Sequence, residues 1–201
     1  MGCRNGMWGG GGSFYVGGYS TGDGGTGDVT VNEFGTLDVA DTLKIWPGGT
    51  VSVTGAYALV QADVVELGGG SLNVGTWGTL CANTLIGFGP TPSFDGNLHF
   101  GHSAGTSSYT IDLDESLEVV GNLEVGHDST AALSVYNGGQ LRTGTGGNAT
   151  VSIGRETGSK GNMWISGGEA SWHNDAELSV GWFGTGQITV YGGAFVSSDT
   201  N

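Results

Sequence analysis

A short glycine-containing segment recurs along the chain and limits its fold more than any other feature. GDGGTGDVTV (22–31) and GWFGTGQITV (181–190) agree at six of ten positions without a gap. GHDSTAALSV (126–135) fits the same frame, and GHSAGTSSYTI (101–111) and GRETGSKGNMWI (154–165) fit it with small insertions. A segment that recurs five times indicates a repeat architecture.

The residues on either side of this segment repeat as well. A short apolar stretch ending in glycine precedes it, and a turn with a further apolar stretch follows it. These glycines, Gly101, Gly126, Gly154 and Gly181, recur with a period of about 25 to 28 residues. The interval from Gly17 to Gly101 is three times the longest of these steps and predicts three more units of that length. The clear repeats are 14–39, 98–119, 123–143, 151–173 and 178–198, with degenerate coils over 40–97.

Apolar and polar residues alternate within each unit, as is typical of β-strands, and no stretch carries the 3.6-residue apolar stripe of a helix. A propeller blade needs about 40 to 45 residues, whereas this shorter period fits one coil of a parallel β-solenoid. The 43 glycines among 201 residues fit tight corners that recur in every coil. The sequence predicts one all-β domain over 1–201, a single-stack parallel β-solenoid with coils of about 25–28 residues and almost no helix.

Charge and cysteine content argue against several classes of protein. Nineteen acidic against five basic residues give a net charge of −14, which repels phosphate backbones, so we expect no nucleic-acid partner. No segment approaches the roughly 18 apolar residues of a membrane span, so we expect no membrane insertion. Cys3 and Cys81 are too few for a disulfide framework; a bridge between them stays open, but we favour Cys81 as a small buried strand residue.

The succession of xVG, GTGxxTV and GGxL is clearest in LSVGWFGTGQITVYGGAFVSS. It resembles the glycine-rich β-solenoid repeats of autotransporter-type adhesin passenger regions. It is also similar to the repeats of planctomycete-like exported proteins with a PEP-CTERM sorting tail. The resemblance covers nearly the whole chain and implies a location at the bacterial cell surface or outside the cell. We recognise no export signal in the sequence and expect it to lie outside this chain.

Asp23 and Asp28 lie in the glycine-rich turn of the first repeat, where they suggest a calcium site. Calcium-binding nonapeptide repeats carry the acid at a different position and need tandem copies. The aligned repeats replace these two aspartates by unrelated residues. We therefore interpret them as variable surface residues of a structural corner.

Histidines form the second candidate metal group. His99 and His102 have a ligand-like spacing, and His102 and His127 follow the repeat glycine in successive coils. Neighbouring coils would bring the latter two side chains about 5 Å apart, where zinc or nickel would bridge them with Asp128. We favour the alternative of two exposed corner histidines, and we assign no metal, cofactor or catalytic residue.

An acidic run extends over residues 112–124, and its carboxylates are Asp112, Asp114, Glu115, Glu118 and Glu124. We expect a strand with a solvated acidic face and with Ile111 and Leu113 on the opposite face. A carbohydrate-cleaving β-helix would need carboxylates from neighbouring coils with a basic residue beside them. No Lys or Arg occurs between Lys44 and Arg142, so we expect no enzyme.

Aromatic and threonine residues offer two further surfaces. Exposed rings near turns would stack on sugars, although we favour rings that fill the core or cover its ends; the rings concerned are Trp77, Trp164, Trp172 and Trp182. Thr30, Thr110 and Thr189 share one repeat position, as in ice-binding solenoids. Ser134 and Trp164 occupy that position in other copies, which is too irregular for an ice-binding plane.

The sequence therefore predicts a non-catalytic structural protein that acts as a rigid stalk, an adhesin or a matrix or filament component. The terminal coils of a solenoid are open sheet edges, so we expect homotypic end-to-end stacking. The alternative is a carbohydrate-binding or carbohydrate-active β-helix protein with surface glycans as its partner.

Overall fold

The computed structural model describes residues 12–89, 91–102, 105–145 and 147–198. These residues form 22 strands and no helix. The first eleven strands are β1 (Phe14–Val16), β2 (Gly18–Tyr19), β3 (Gly22–Asp23), β4 (Gly27–Val31), β5 (Thr36–Ile45), β6 (Gly49–Val53), β7 (Leu59–Leu67), β8 (Ser71–Val74), β9 (Thr79–Ile86), β10 (Ser93–Phe94) and β11 (Asn97–Phe100). The others are β12 (Thr106–Ile111), β13 (Ser116–Val119), β14 (Leu123–Val125), β15 (Thr130–Tyr136), β16 (Gln140–Thr143), β17 (Thr150–Ile153), β18 (Lys160–Ser166), β19 (Ser171–Asn174), β20 (Glu177–Val180), β21 (Thr185–Tyr191) and β22 (Phe195–Ser198).

Most strands pair in parallel with the equivalent strand one coil away. The long sheet has eight strands in the order β1-β5-β7-β9-β11-β14-β17-β20. The other faces are the sheets β4-β6-β8, β10-β13-β16-β19-β22 and β12-β15-β18-β21. Within the described ranges, β2 and β3 form the one antiparallel pair. Stacked parallel sheets without helices confirm the predicted all-β solenoid.

Inward side chains of successive coils form one continuous core, because strand alternation sends every second side chain inside. In β14, Leu123 and Val125 point inward and are completely buried. A single apolar cluster extends from Val16 in the first strand to Ala176 before β20. Burial of each large aliphatic side chain contributes about 1.5–3 kcal/mol, so the core rather than any turn stabilises the stack.

The pairing register confirms the repeat alignment in the C-terminal part of the chain. Thr110 pairs with Ser134, Ser134 with Trp164, and Trp164 with Thr189. These four residues of the predicted shared position therefore form one ladder on one face, but the prediction is wrong for Thr30, which pairs with Ser52 in the separate sheet β4-β6-β8. The ladder is not a uniform threonine surface, because Trp164 interrupts it.

Coil length in the C-terminal part also agrees with the sequence. Leu98 pairs with Leu123, Leu123 with Val151, and Val151 with Leu178. These pairs reproduce, step for step, the intervals between the glycines from Gly101 to Gly181. The corresponding glycines therefore mark equivalent points of successive coils.

The prediction of three equally long units before Gly101 is wrong. Leu43 pairs with Val65, Val65 with Leu85 and Leu80 with Leu98, so the coils from β5 to β11 advance by only about 18 to 22 residues, near the lower limit for one solenoid repeat. The first step, from Val16 to its partner Ile45, is longer. The coils from β5 to β11 are shorter because β5, β7 and β9 continue as single strands of 10, 9 and 8 residues, where the later coils have two strands joined by a glycine and a loop. In β5 the register with β7 shifts between Val39 and Thr42.

The acidic run is also not the single strand that was expected. β12 ends at Ile111 and β13 begins at Ser116, with a turn between them. The backbone N–H of Glu115 donates to the carbonyl of Asp112 at 2.9 Å. Leu113, expected to face inward, is 61% exposed. The turn competes successfully with the alternating pattern because its acids bond to the backbone: Leu113 N–H donates to the Asp112 carboxylate at 2.8 Å.

Cys81 lies completely buried in β9, as expected. Its sulfur is disulfide-bonded, which corrects the preference for an unbridged residue. Cys3, the other cysteine of the sequence, lies outside the described residues.

Candidate functional site

In the C-terminal coils, a glycine ends each strand of the long sheet and forms the corner of the coil. Two positions near this glycine build a polar group on the outer face of the sheet. One position lies two residues before the corner glycine, and the other directly follows that glycine. The first position is occupied in successive coils by His99, Glu124, Ser152 and Ser179. The second position is occupied by His102, His127, Arg155 and Trp182.

The corner glycines explain why these two positions meet. Gly126 has a φ of 74°, the left-handed region that glycine enters without strain. A Cβ atom at Gly126 would lie 2.5 Å from the carbonyl oxygen of Lys160. The N–H groups of Gly126 and His127 both donate to the carbonyl of Phe100, at 3.0 and 3.1 Å. The chain thus turns back over the sheet at Gly126, and the side chain of the next residue, His127, reaches the preceding coil.

The Glu124 carboxylate is the centre of the group. Its Oε2 atom accepts a hydrogen bond from Nδ1 of His127 and lies 3.5 Å from Nδ1 of His99. Its Oε1 atom accepts a hydrogen bond from the guanidinium of Arg155, which belongs to the next coil. The rings of His99 and His127 stack with their centroids 5.1 Å apart. Three successive coils therefore contribute to one cluster.

Burial determines the charge of this cluster. His99, Glu124 and His127 are 4%, 1% and 2% exposed. Burial lowers the pKa of His99 well below 6.5, and the neighbouring His127 and Arg155 add to this effect. Burial also lowers the pKa of His127. Burial therefore favours the neutral form of both imidazoles, and the guanidinium of Arg155 lies against the Glu124 carboxylate.

The alternative metal group of His102, His127 and Asp128 is not found among the described residues. The Nε2 atom of His102 donates a hydrogen bond to the carbonyl of Ala62 at 2.8 Å. The view of His102 and His127 as exposed corner histidines is wrong, because His102 is only 5% exposed and His127 is 2% exposed. Asp128 is exposed and lies outside the buried group. His127 instead meets His99, two residues before the previous corner glycine.

A cavity of about 480 Å³ opens beside the cluster, and His99, Glu124 and Arg155 form part of its wall. Tyr57 and Trp77 contribute aromatic rings to the same cavity. Glu124 is the one carboxylate among the described residues of its lining. The cavity therefore combines a charged polar wall with an aromatic rim.

A ladder of hydroxyl and amide side chains crosses the floor of this cavity. The Nδ2 group of Asn97 donates to Oγ1 of Thr79 at 3.0 Å. The Oδ1 atom of Asn97 accepts from the N–H of Asn122 at 2.9 Å, and Oδ1 of Asn122 accepts from the N–H of Thr150 at 2.8 Å. The ladder joins four coils and holds its amide groups in fixed orientations.

The aromatic rim lies on strained backbone. Phe34, Tyr57 and Trp77 occupy equivalent corners of three successive coils, with φ values of 59°, 64° and 69°. Bulky residues rarely adopt positive φ, and each such residue costs about 1–3 kcal/mol. The rings of Phe34 and Tyr57 stack at 5.3 Å, whereas Trp77 is 71% exposed. Trp77 also lines a second cavity of about 150 Å³.

The tryptophans predicted to fill the core or cover its ends divide into two groups. Trp172 is 1% exposed, and its Nε1 donates to Oγ1 of Thr143 at 3.0 Å, as a core residue should. Trp164 is partly buried. Trp77 and Trp182 are 71% and 55% exposed, so the expectation is wrong for Trp77. Trp182 lies in the last coil and stacks on Phe183.

The remaining sequence candidates do not join the cluster. Asp23 and Asp28 are exposed and belong to no group of three metal-ligand side chains in the described part of the chain. Asp112 and Asp114 lie exposed in the turn before β13. Glu124, expected on a solvated face, is the exception because the corner residues of two coils cover it.

The sequence contained a signal for the missed residues. Aligning LHFG, LEVG and VSIG on their final glycine puts His99 and Glu124 in one column, and Arg155 in the column of His102 and His127. The outward direction of the first column follows from strand alternation. The reach of Arg155 back to Glu124 could not be foreseen, because it depends on the path of the corner loop.

Models of known protein families, curated proteins and solved structures were compared with the chain, and none of the three comparisons finds a match. Among the described residues, no helix is long and apolar enough to cross a membrane.

Proposed function

We propose that this chain is a non-catalytic structural β-solenoid of the bacterial cell surface or extracellular space, which associates with a second copy through its C-terminal coil. The location rests on the resemblance of the repeats to those of exported proteins. The stiffness expected of a stalk or matrix component is supported by the long sheet, whose eight strands span about 34 Å at the usual strand spacing. The association rests on the surface of the last coil.

Core positions of the last coil are exposed, although their partners one coil earlier are buried, and this observation carries the proposal. Val180 is 46% exposed, whereas its register partner Ile153 is fully buried. Val190 is 44% exposed, whereas its partner Ile165 is fully buried. Among the described strands, none pairs with the outer edges of β20, β21 and β22, so this face combines apolar side chains with open strand edges. Such an edge favours pairing with another chain.

The inward valines at the other end of the stack are covered. In the first coil, Val16 and Val31 are 3% and 7% exposed. A head-to-tail contact would join the open C-terminal face to this covered end, whereas a two-fold contact joins two open faces. The exposures therefore favour a closed dimer through two C-terminal coils over an open filament.

The oligomeric state of the 201-residue chain tests this proposal. Sedimentation velocity should show a dimer for the wild type and a monomer for Val190→Lys, because a lysine would bury its charge in the contact. Leu113→Lys is the matched control: Leu113 is 61% exposed in a turn away from the last coil, so this variant should remain dimeric. A wild-type monomer at high concentration, or filaments in electron micrographs, would contradict the two-fold contact.

Carbohydrate binding beside Trp77 is the second candidate function. An exposed tryptophan offers a ring face to sugars, and the amides of Asn97 and Asn122 with the guanidinium of Arg155 offer hydrogen bonds to hydroxyl groups. A glycan array should show binding that Trp77→Ala removes and Trp182→Ala leaves intact. Trp182 is also exposed but does not belong to the described lining of the cavity, so equal loss in both variants would count against this site.

A further inference from the structure

Three ligand atoms of two neighbouring coils converge at the wall of the cavity. The side-chain ligand atoms of His99, Glu124 and His127 all lie within 4.8 Å of one another, and all three residues are buried. Strand pairing brings His99 and Glu124 together, since they are register partners in β11 and β14. The left-handed corner at Gly126 brings His127 over the same carboxylate. Rigid elements therefore hold all three side chains.

The types of these atoms select a metal class. Imidazole nitrogen and carboxylate oxygen are ordinary zinc ligands, and two imidazoles with one carboxylate is a common set of three protein ligands. Calcium and magnesium prefer sites made of oxygen atoms, so two nitrogen donors argue against them. Cys81 approaches Nδ1 of His99 to 3.9 Å, but its disulfide-bonded sulfur is no thiolate ligand.

The spacing suits a tetrahedral ion. Zinc binds nitrogen and oxygen at about 2.0–2.2 Å, which puts ligand atoms about 3.3–3.5 Å apart in a tetrahedron. Nδ1 of His99 already lies 3.5 Å from Oε2 of Glu124. Binding of an ion would replace the hydrogen bond between His127 and this oxygen, and Nδ1 of His127 would move from hydrogen-bond contact to about 3.3 Å from Oε2. Coordination uses the Nδ1 lone pairs, so each imidazole then carries its proton on Nε2.

Arg155 and the cavity supply the remaining parts of a metal site. Arg155 binds Oε1 of Glu124, which leaves Oε2 for the ion and fixes the plane of the carboxylate. Partners of this kind orient metal ligands in many proteins. Both His99 and Glu124 line the cavity of about 480 Å³, so a fourth coordination position has access to water or a small ligand.

We propose that His99, Glu124 and His127 bind one zinc ion through Nδ1, Oε2 and Nδ1, with a fourth coordination position open to the cavity beside Trp77. The site is independent of the dimer contact at the C-terminal coil, since its residues lie in earlier coils. Its loss would leave the proposed structural function unchanged.

Calorimetric titration of zinc chloride into the metal-free full chain tests the site. We expect one zinc per chain, and at least about 100-fold weaker binding in Glu124→Gln and His127→Gln, since even the partners of metal ligands contribute about 10- to 100-fold. His173→Gln is the matched control, because His173 forms a histidine–carboxylate pair with Asp175 at 3.0 Å elsewhere in the stack. It should bind zinc as the wild type does.

Cobalt substitution of the wild-type chain provides a readout that does not depend on the folding of any variant. A tetrahedral site with nitrogen and oxygen ligands should give the intense visible absorption of four-coordinate Co²⁺, and zinc should displace it. Circular dichroism checks that each variant keeps its β-structure. Absence of stoichiometric zinc, an octahedral cobalt spectrum, or equal binding by folded Glu124→Gln and the wild type would overturn the proposal.

Discussion

The two parts of the stack turn their corners differently around the same core. In the N-terminal part, β5, β7 and β9 are long strands that no loop interrupts, and the coils that begin with them advance by about 18 to 22 residues. In the C-terminal part, each strand of the long sheet stops at a left-handed glycine and a loop follows, so the coils are longer, at about 25 to 28 residues. The extra residues carry His127 and Arg155 over the sheet. The longer coil thus provides side chains for a site.

The corner glycines should give the largest effect if this comparison is correct. Gly126→Ala should cost about 4 kcal/mol or more of unfolding free energy, because its Cβ would lie 2.5 Å from the Lys160 carbonyl inside the ladder. Gly158 has a φ of 87° but open space around its Cβ, so Gly158→Ala should cost only about 1–2 kcal/mol. Urea unfolding measures both, and equal costs would show that sterics at the corner do not matter.

The common core should give the next effect, equal in the two parts. Leu43 in β5 and Leu133 in β15 are both completely buried. Each Leu→Ala substitution should cost about 2–5 kcal/mol, because it leaves a cavity in a packed interior. Chemical denaturation with a single shared transition is expected. Separate unfolding transitions for the two parts would contradict a single continuous core.

The buried histidines should make stability depend on pH. Burial keeps the pKa of His99 in the folded chain well below 6.5, whereas the unfolded chain titrates near its ordinary value. The unfolded state therefore binds more protons in this range, and stability falls as the pH drops below about 6.5. Urea unfolding of metal-free protein between about pH 7.5 and 5.5 should show this loss. The His99→Gln variant should lose less stability over this pH range. An unchanged dependence of its unfolding free energy on pH would contradict the role given to His99.

The aspartates of the first repeat should give the smallest effect. Asp23 and Asp28 are exposed, so replacement of either by Asn should change stability by less than about 0.5 kcal/mol. Calcium should not alter the melting temperature of the wild type. A rise that depends on calcium and disappears in Asp28→Asn would restore the calcium interpretation.

Sequence reasoning was sufficient for the repeating part of the fold. The repeat alignment predicted the solenoid, the register of Thr110, Ser134, Trp164 and Thr189, and the three C-terminal coil lengths. Such patterns are readable because every coil repeats the same inward and corner positions. The first segment of the alignment, 22–31, was aligned wrongly, because β4 belongs to the sheet β4-β6-β8. The lengths of the short N-terminal coils could not be predicted from the sequence, because their long strands have no glycine at the corner that would mark the repeat.

The site was only partly predictable, because it depends on contacts between coils. His102 and His127 were recognised as equivalent positions, but His102 bonds to the Ala62 carbonyl while His127 meets Glu124. Burial of Glu124 depends on the loops of its own and the next coil. No property of the acidic run itself distinguishes this buried carboxylate from exposed ones such as Asp114.

A distance between two coils tests the central claim, that equivalent repeat positions stack in register one strand apart. Thr106 and Thr185 are exposed and lie three strands apart in the sheet β12-β15-β18-β21. Spin labels attached to cysteines at these two positions should lie about 15 Å apart, since neighbouring strands are separated by about 4.8 Å. A narrow distribution near this value would support the account. A distribution centred at twice this distance or more would contradict it.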